Sequence, residues 1–263
     1  LRIPEKGDQV FAAQAWIEFN VRKPQFQDAR VRKAIAYALD RDFMIETIWQ
    51  GFGTRATGPI SPALAEFYTD KVTIYEQNIE RANQLLDEAG FPAGSDGIRF
   101  RMTHDPLPIA EFYFRTAEYF KQALRRIGIE VELRTQDYAT WIRRIYTDND
   151  FDSINATSYN MPDPCMGVKR YFWSGNIAPG VPFSNGSGYS NPEVDSLLVA
   201  AQYEMDPAKR VEQFHRFQEI IADELPQITI ANIHWFTLEN TRVTGADTTP
   251  YGMHGNLAHV KLG

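Results

Sequence analysis

The sequence predicts an α/β fold centred on a βαβαβ unit at residues 98–164. Residues 98–103, 129–135 and 151–157 have the apolar, β-branched composition of strands, and a helix is predicted between each pair. In the first helix, residues 109–127, apolar residues recur at intervals of three and four, as on one buried helix face. Crossovers between parallel strands are almost always right-handed, so this unit predicts an open parallel sheet.

The carboxyl ends of these strands are the expected place of the functional site. Open α/β sheets bind ligands beyond that edge. Here the edge comprises residues 104–108, 135–138 and 158–164, and Asp137 is positioned to cap the second helix, which runs to about residue 147. We therefore expect function at this edge, with the remainder of the chain supporting it.

The elements before the centre follow from capping and turn residues. A strand at 15–21 ends before Pro24, and Asp28 is a good N-cap for the helix that follows. Gly51 is placed to end a second helix, and three Gly and two Pro make 51–62 a predicted loop. The helices predicted in this part are 29–39, 41–50 and 79–89.

After the centre, residues 161–189 form a long stretch without periodicity. Asn191 then caps a helix over 192–203 that has Pro at its first position, where a missing N–H costs nothing. A further helix spans 207–224, and residues 226–236 read as an apolar strand. The order of elements is typical of an α/β domain that closes with a strand.

Composition excludes several classes of protein. The 263 residues are enough for one large domain or two, and a net charge of −7 argues against nucleic acid and anionic membranes as partners. Cys165 is the only cysteine, so an internal disulfide is excluded and the compartment stays undecided. No apolar run has the length of a membrane span.

Motifs for catalysis or cofactors are missing. No two of the five His stand three or four residues apart, which argues against a metal site. The serine in PFSNG (182–186) lacks the strand-to-helix setting of a nucleophile elbow, and Cys165 has no His close by in sequence. Neither GxGxxG nor a P-loop occurs. The residues therefore favour an aromatic-rich binding protein that uses no cofactor over an enzyme.

Six strings, in order, resemble one known family. They closely resemble the family 5 extracellular solute-binding proteins of ABC importers, which bind dipeptides, oligopeptides, nickel chelates and some sugars. The longest string is WIEFNVRKPQFQDARVRKAIAYALDRDFMIETIWQGFGTRATGPISP (16–62). The others are ERANQLLDEAGF (80–91), LRRIGIEVELRTQDY (124–138), NDFDSINATSYNMPDP (149–164), GYSNPEVDSLLVAAQYEMDPAKR (188–210) and ELPQITI (224–230).

The resemblance implies one lobe of a two-lobed, periplasmic-binding-protein-like (class II) fold. The chain resembles about the C-terminal half of such proteins. By analogy, residues 1–20 are a remnant of lobe I with the first hinge crossing, 21–230 form lobe II, and 231–263 are the second crossing and the return to lobe I. Both crossings, 15–20 and 231–236, are then expected to lie side by side.

The resemblance also implies function. It implies capture of a peptide or related small polar solute between two closing lobes, without catalysis, and delivery to an ABC permease in the membrane. The partners are then the ligand, the permease and the missing N-terminal half, and the location is periplasmic, or extracellular and membrane-anchored. A hydrolase working at the same cleft and a solute-sensing receptor module are the alternatives.

The ligand-binding residues expected in lobe II are Tyr159, Asn160, Asp163, Tyr171, Trp173 and Phe183. The aromatic ones, with Phe172, are expected to be exposed, although core packing is an equal alternative for Phe172 and Trp173. In peptide-binding members, an acidic residue four positions before the Pro of the DP pair takes the ligand's ammonium, and Asn160 stands there. Either the ligand lacks a free ammonium here, or Asp163 replaces the acid, or Asn160 merely caps the loop.

Overall fold

The computed structural model describes residues 1–3, 11–246, 251 and 255–263. Within them, six strands form one sheet in the order β2-β6-β1-β5-β3-β4. Strands β7 and β8 form a separate two-stranded pair. The strands are β1 Ala13–Phe19, β2 Gly53–Arg55, β3 Phe100–Pro106, β4 Ile129–Leu133, β5 Ser153–Tyr159, β6 Gln227–Ile233, β7 Val243–Thr244 and β8 Lys261–Leu262.

The sheet is mixed, whereas the sequence predicted an open parallel sheet. The predicted βαβαβ unit is present, and β3 pairs in parallel with both β4 and β5. However, β1 runs antiparallel to β5 and to β6. Chain direction explains the difference, because β1 begins at the edge where β5 and β6 end.

Strand β2 lies within the segment predicted as loop, residues 51–62. It is three residues long and adds to the outer side of β6 by antiparallel pairing. A Cβ at Gly53 would lie 3.1 Å from the backbone oxygen of Asn232, so glycine lets the two strands approach closely. Such a short edge strand has too few residues for a periodicity signal.

The helices largely follow the predicted caps. Side chains of the predicted caps Asp28, Asp137 and Asn191 each accept a backbone N–H in the first helical turn, and so does Asp206, just before the helix predicted at 207–224. The helices are α1 Pro24–Gln27, α2 Ala29–Ala38, α3 Arg41–Ile48, α4 Ile79–Glu88, α5 Glu111–Arg125, α6 Tyr138–Arg143, α7 Pro164–Gly167, α8 Lys169–Phe172, α9 Pro192–Tyr203 and α10 Pro207–Glu224. Two of them, α7 and α8, lie in the stretch predicted to be irregular.

A hydrophobic core lies on each face of the sheet. On the first face, Ile17 and Phe19 of β1 pack with residues of α2, α4 and α5. On the second, Trp16 of β1 packs with residues of α6, α8, α9 and α10. All seven residues of β1 are buried, so the polar side chains Gln14 and Glu18 lie inside the protein. This central strand therefore needs internal partners for its polar groups.

The prediction that residues 15–20 and 231–236 lie side by side is confirmed at one pair, because β1 after Ala15 pairs with residues 227–229. Ala15 is opposite Ala231, and Gln14 is opposite Asn232. The lobe boundaries built on that pairing stay a prediction, and residues 4–10, 247–250 and 252–254 lie outside the described part of the chain. Among the helices of that part, none has both the length and the apolar character that crossing a membrane requires.

Candidate functional site

A cavity of about 330 Å³ opens where β5 and β6 end and β1 and β2 begin. It lies at the predicted edge of the sheet, but on the side formed by β2, β6 and β1. Its walls come from the starts of β1 and β2, from the turn after β2 and from the end of β6. The lining residues are Ala12, Ala13, Thr54, Ser61, Pro62, Ala63, Asn232, Ile233, His234 and Trp235.

The other predicted edge segments do not reach this cavity because the strands are staggered. Pro106, at the end of β3, pairs with Asn155, four residues short of the end of β5 at Tyr159. At about 3.3 Å per residue, this places the end of β3 roughly 13 Å below the end of β5. The segments after β3 and β4, residues 104–108 and 135–138, therefore end short of the cavity along the strand direction.

Exposed aromatic rings flank the cavity. The side chain of Tyr159 is 44% exposed and packs on Phe11, with ring centroids 5.4 Å apart. Trp235 is 38% exposed and meets Phe112 of α5 edge-on at 6.0 Å. Trp235 belongs to the lining, and Tyr159 lies opposite the lining residue Ala13 in the pairing of β1 with β5. Both rings are partly exposed and can therefore stack on a flat or apolar part of a ligand.

Three buried amide side chains, here called the amide network, form the floor behind the cavity. Asn160 donates from Nδ2 to Oε1 of Gln14 at 3.1 Å, and Gln14 donates from Nε2 to Oδ1 of Asn232 at 2.9 Å. Asn232 in turn donates to Oγ1 of Thr54 and to the carbonyl oxygen of Arg55. The network thus crosses from β5 through β1 and β6 to β2.

The amide network also holds the turn that forms one cavity wall. Oδ1 of Asn160 accepts the backbone N–H of Ser61 at 2.5 Å, and its Nδ2 also donates to the carbonyl of Pro59. Gln14 donates its second amide hydrogen to the carbonyl of Gly58. All amide hydrogens of Asn160, Gln14 and Asn232 are therefore donated within the protein. Asn160 is 1% exposed, and this geometry corresponds to its capping interpretation.

Asp163 lies in an ion pair and is not among the residues that line the cavity. Its side chain caps α7 by accepting the backbone N–H of Cys165 at 2.8 Å. Both of its carboxylate oxygens also accept from Nη2 of Arg210 at 2.8 Å. A carboxylate already paired with a guanidinium offers a ligand's ammonium much less than a free one would.

The expected exposure of the aromatic residues at 171–173 is wrong for two of the three. Tyr171 is 7% exposed and packs edge-on against Trp16 at 5.9 Å, and Phe172 packs on Phe217 of α10. Trp173 is half-buried, with the ammonium of Lys169 4.5 Å from its ring centroid. The short helix α8 turns these rings toward the second core, which a sequence without periodicity did not indicate.

Phe183 lies far from Tyr159. It is half-buried and packs against Tyr146 and Trp141, with ring centroids 5.8 and 6.3 Å away. Its neighbour Gly186 contacts Glu18, near the other end of β1 from Ala13, the residue that pairs with Tyr159. Of the six predicted site residues, the structure therefore brings only Tyr159 and Asn160 to the cavity edge.

The polar residues at the end of β3 are buried and partnered. His104 contacts Oγ of Ser153 through Nδ1 at 2.7 Å and Oδ1 of Asn155 through Nε2 at 2.8 Å. Burial lowers the pKa of His104 to about 4, so the ring is neutral at ordinary pH. Burial also raises the pKa of Asp105, against the opposing effect of its ion pair with Arg134 at 2.7 Å. These residues stabilise the fold.

The cavity wall is almost without charge. Among the described residues of the lining, His234 is the one ionisable residue and none is acidic. No group of three or more His, Cys, Asp or Glu in the described ranges could hold a metal ion. Thr54, His234 and Trp235 were missed by sequence reasoning, which treated 51–62 as loop and 231–236 as a hinge crossing. The rule that sites lie beyond strand ends, applied to β6, would have found the latter two.

Comparison with known proteins gives consistent matches. Residues 10–179 match the family described as bacterial extracellular solute-binding proteins, family 5 Middle. Heme-binding protein A of Haemophilus influenzae is 30% identical over 245 residues, which are 90% of this chain and 42% of that protein. The dipeptide-binding protein of Escherichia coli is 26% identical over 91% of this chain and 44% of its own length.

The fold also matches a solved structure. HbpA2 from Haemophilus parasuis superposes with a TM-score of 0.82 at 27% identity, over 98% of this chain and 49% of that one. The predicted periplasmic-binding-protein-like α/β fold is thereby confirmed. The chain spans about half the length of the relatives it matches.

Proposed function

The chain belongs to the bacterial extracellular solute-binding proteins of family 5, and on that premise we propose that it forms one wall of a solute-binding site for an ABC-type importer. The observation that carries this proposal is the cavity at the ends of β5 and β6. It combines partly exposed aromatic rings with a wall that the amide network keeps in place. Binding requires such a preformed, mostly apolar surface and no reactive group.

In this proposal the second wall comes from the other half of a longer protein. Relatives are about twice as long as the chain, and the cavity is open on the side where β1 begins and β6 ends. Residues 21–230 then act as one lobe, and the paired segments near Ala15 and Ala231 carry the chain to the other. Closure of two lobes about a few such residues buries the ligand. The site of action is periplasmic or extracellular, next to a membrane permease.

The wall also restricts the class of ligand. A free ammonium enclosed here would find no carboxylate among the described residues of the lining, since Asn160 is committed to the amide network and Asp163 to Arg210. Leaving a buried charge unpaired costs several kcal/mol, or about a hundredfold or more in affinity. We therefore propose that the ligand presents a neutral or aromatic group to this wall, as a modified peptide or a related small polar solute can.

The experiment is calorimetry on the full-length protein with the dipeptide Met-Leu and its N-acetylated form. We expect the N-acetylated form to bind more tightly, by up to about a hundredfold, because acetylation removes an ammonium for which the described residues of this wall offer no carboxylate. Binding that is tight for the free dipeptide and lost on acetylation would contradict the ligand class. Conversion of either compound to a product would favour a hydrolase and contradict the proposed function.

Two variants test the wall itself. Tyr159→Ala and Trp235→Ala should each weaken binding of whichever compound binds by about tenfold, because each ring supplies a stacking face. Tyr203→Ala is the matched control, since Tyr203 is an exposed tyrosine at the end of α9, outside the cavity lining. Equal affinities for all three variants would show that the cavity is not part of the ligand-binding site.

A further inference from the structure

Glu18 is a buried carboxyl group in which one oxygen has no hydrogen-bond partner among the described residues. It lies in β1, in the middle of the sheet, and is 1% exposed. Its Oε1 atom has no hydrogen-bond partner among the described residues, and neither has Nε1 of Trp16, two residues earlier on the same face of the strand. Buried polar atoms are almost always paired, so an unpaired carboxyl oxygen in the centre of a sheet needs a physical reason.

The backbone of residues 182–189, here called the covering segment, closes over this carboxyl group. A Cβ placed on Gly186 would lie 3.0 Å from Oε1 of Glu18 and 3.0 Å from Cε1 of Tyr146, so only backbone fits between them. Arg22 donates from Nη1 to the carbonyl of Gly186 at 2.9 Å, and the N–H of Val21 donates to the carbonyl of Ser187 at 3.0 Å. The covering segment is thus fastened to the residues that follow β1.

Internal bonds keep the covering segment compact. Asn185 donates to the carbonyls of Tyr189 and Trp173 at 2.8 and 3.2 Å, and its Oδ1 accepts from Oγ of Ser187 at 2.8 Å. Ser184, Asn185, Gly186 and Ser187 are all buried. The covering segment therefore places buried backbone directly against Oε1 of Glu18.

The groups around Glu18 do not neutralise a negative charge. Arg22 attracts it, but the guanidinium of Arg22 is bonded to Gly186 and to Oδ1 of Asn20. Tyr146 and Tyr171, from the segment after α6 and from α8, are the titratable side chains whose charge would interact with it unfavourably. Its strand neighbours Ile154 and Gln227 are neutral, and Asp105, two strands away, is paired with Arg134.

We propose that Glu18 is a proton-binding site that controls the covering segment: the segment closes over the neutral acid and opens when the acid ionises. A neutral carboxyl group can remain beside the Gly186 backbone and the Tyr146 ring. An ionised carboxylate requires hydration. The covering segment lies against Oε1, so its displacement lets water reach the carboxylate. This device is independent of the ligand proposal above.

The titration of Glu18 has the direction that such a device requires. Burial raises its pKa from 4.5 to about 8, and Arg22 opposes the rise only in part. The closed form therefore holds a proton between pH 4.5 and 8 that the open form has released. It follows that closing weakens as pH rises through this window and changes little outside it.

Amide hydrogen exchange of the covering segment tests the proposal in the full-length protein, with Glu18→Gln as a permanent mimic of the neutral acid. At each pH the wild type is compared with the variant, so that the intrinsic pH dependence of exchange cancels. We expect nearly equal rates at about pH 4, below this window, for the amides of residues 186–189. The ratio of wild-type to variant rates should then rise up to about tenfold per pH unit and level off above about pH 8.

Glu132→Gln is the control, because Glu132 is an exposed glutamate in strand β4. It should exchange like the wild type at every pH. If Glu18→Gln does not fold, Glu18→Met supplies a second neutral side chain of similar length. A ratio that stays constant from pH 5 to 9, for whichever variant folds, would overturn the proposal.

Discussion

The two ends of β1 treat buried polar groups in opposite ways. At its start, Gln14 belongs to an amide network in which every amide hydrogen of three side chains is donated. Near its other end, Glu18 has an oxygen without a partner. Both side chains lie on one strand and on one face of the sheet, and both are buried. Position in the fold alone therefore does not decide whether a polar group is satisfied.

The two groups differ in whether they can change their charge. An amide is neutral at every pH and both donates and accepts, so three of them can satisfy one another and fix a wall permanently. A carboxyl group can change its charge, and its environment must suit one form or the other. The first arrangement suits a binding surface of constant shape, and the second suits a surface that responds to pH.

The largest effect on stability is expected from a charge placed in the amide network. Asn160→Asp removes both amide donors, so the carbonyl oxygens of Gln14 and Pro59 would face a buried carboxylate. We expect a loss of about 4 kcal/mol in the free energy of unfolding, measured by urea denaturation at pH 7. Restoring a carboxylate here would therefore disrupt the wall rather than supply a site for an ammonium.

Asn78→Asp is the matched control for that change. Asn78 is exposed and caps α4 by accepting the N–H of Arg81, which a carboxylate does equally well. Its effect should stay within about 0.5 kcal/mol. If both variants lose the same stability, the amide network has no special part in holding the fold.

His104 separates the effect of position from that of partners. It lies at the level of Glu18, because Ser153 pairs with both His104 and Phe19, but both of its ring nitrogens have partners. Its pKa, about 4 when folded and 6.5 otherwise, means that the unfolded chain binds more protons between these values. Its contribution to stability therefore rises with pH across this window, by about 3 kcal/mol in total.

The contribution of His104 to stability rises with pH, whereas that of Glu18 falls with pH. Glu18→Gln removes the contribution of Glu18, so the effect of His104 can be measured without it. In that background, urea unfolding should show stability rising from pH 4 to 6.5, and NMR should show a neutral His104 ring down to pH 5. A ring that becomes charged near pH 6.5 would mean that water reaches His104, and the contrast between the two groups would then disappear.

The smallest effect on stability is expected from a methyl group added at Gly186, where the backbone contacts Glu18. Gly186→Ala forces the carboxyl group or the Tyr146 ring to shift by a few tenths of an ångström, which should cost about 1 kcal/mol. Gly58→Ala is the control, because a Cβ there meets nothing within 4 Å. Thermal unfolding of both proteins checks this, and equal midpoints would show that the covering segment is loosely packed against Glu18.

Much of the fold was readable because its signals are local. The caps at Asp28, Asp137, Asn191 and Asp206 act on the next few residues, and the apolar stripe of α5 has the period of a helix. The resemblance to family 5 rests on six strings in order and agrees with the comparisons. The predictions that were wrong depended on pairing between distant residues. Strand β2, for example, lies in a segment predicted as loop and is a strand only because β6 lies beside it.

The sequence by itself determined the element types, the α/β class and the family, since capping, periodicity and strings of residues are properties of neighbouring positions. Only the tertiary structure decided which polar residues meet. It placed Asn160 with Gln14 and Asn232, residues far apart in the chain, and it moved Phe183 away from Tyr159 to the region of Glu18. The physical reason is that sheet register and stagger set these distances, and register is fixed by packing over the whole domain.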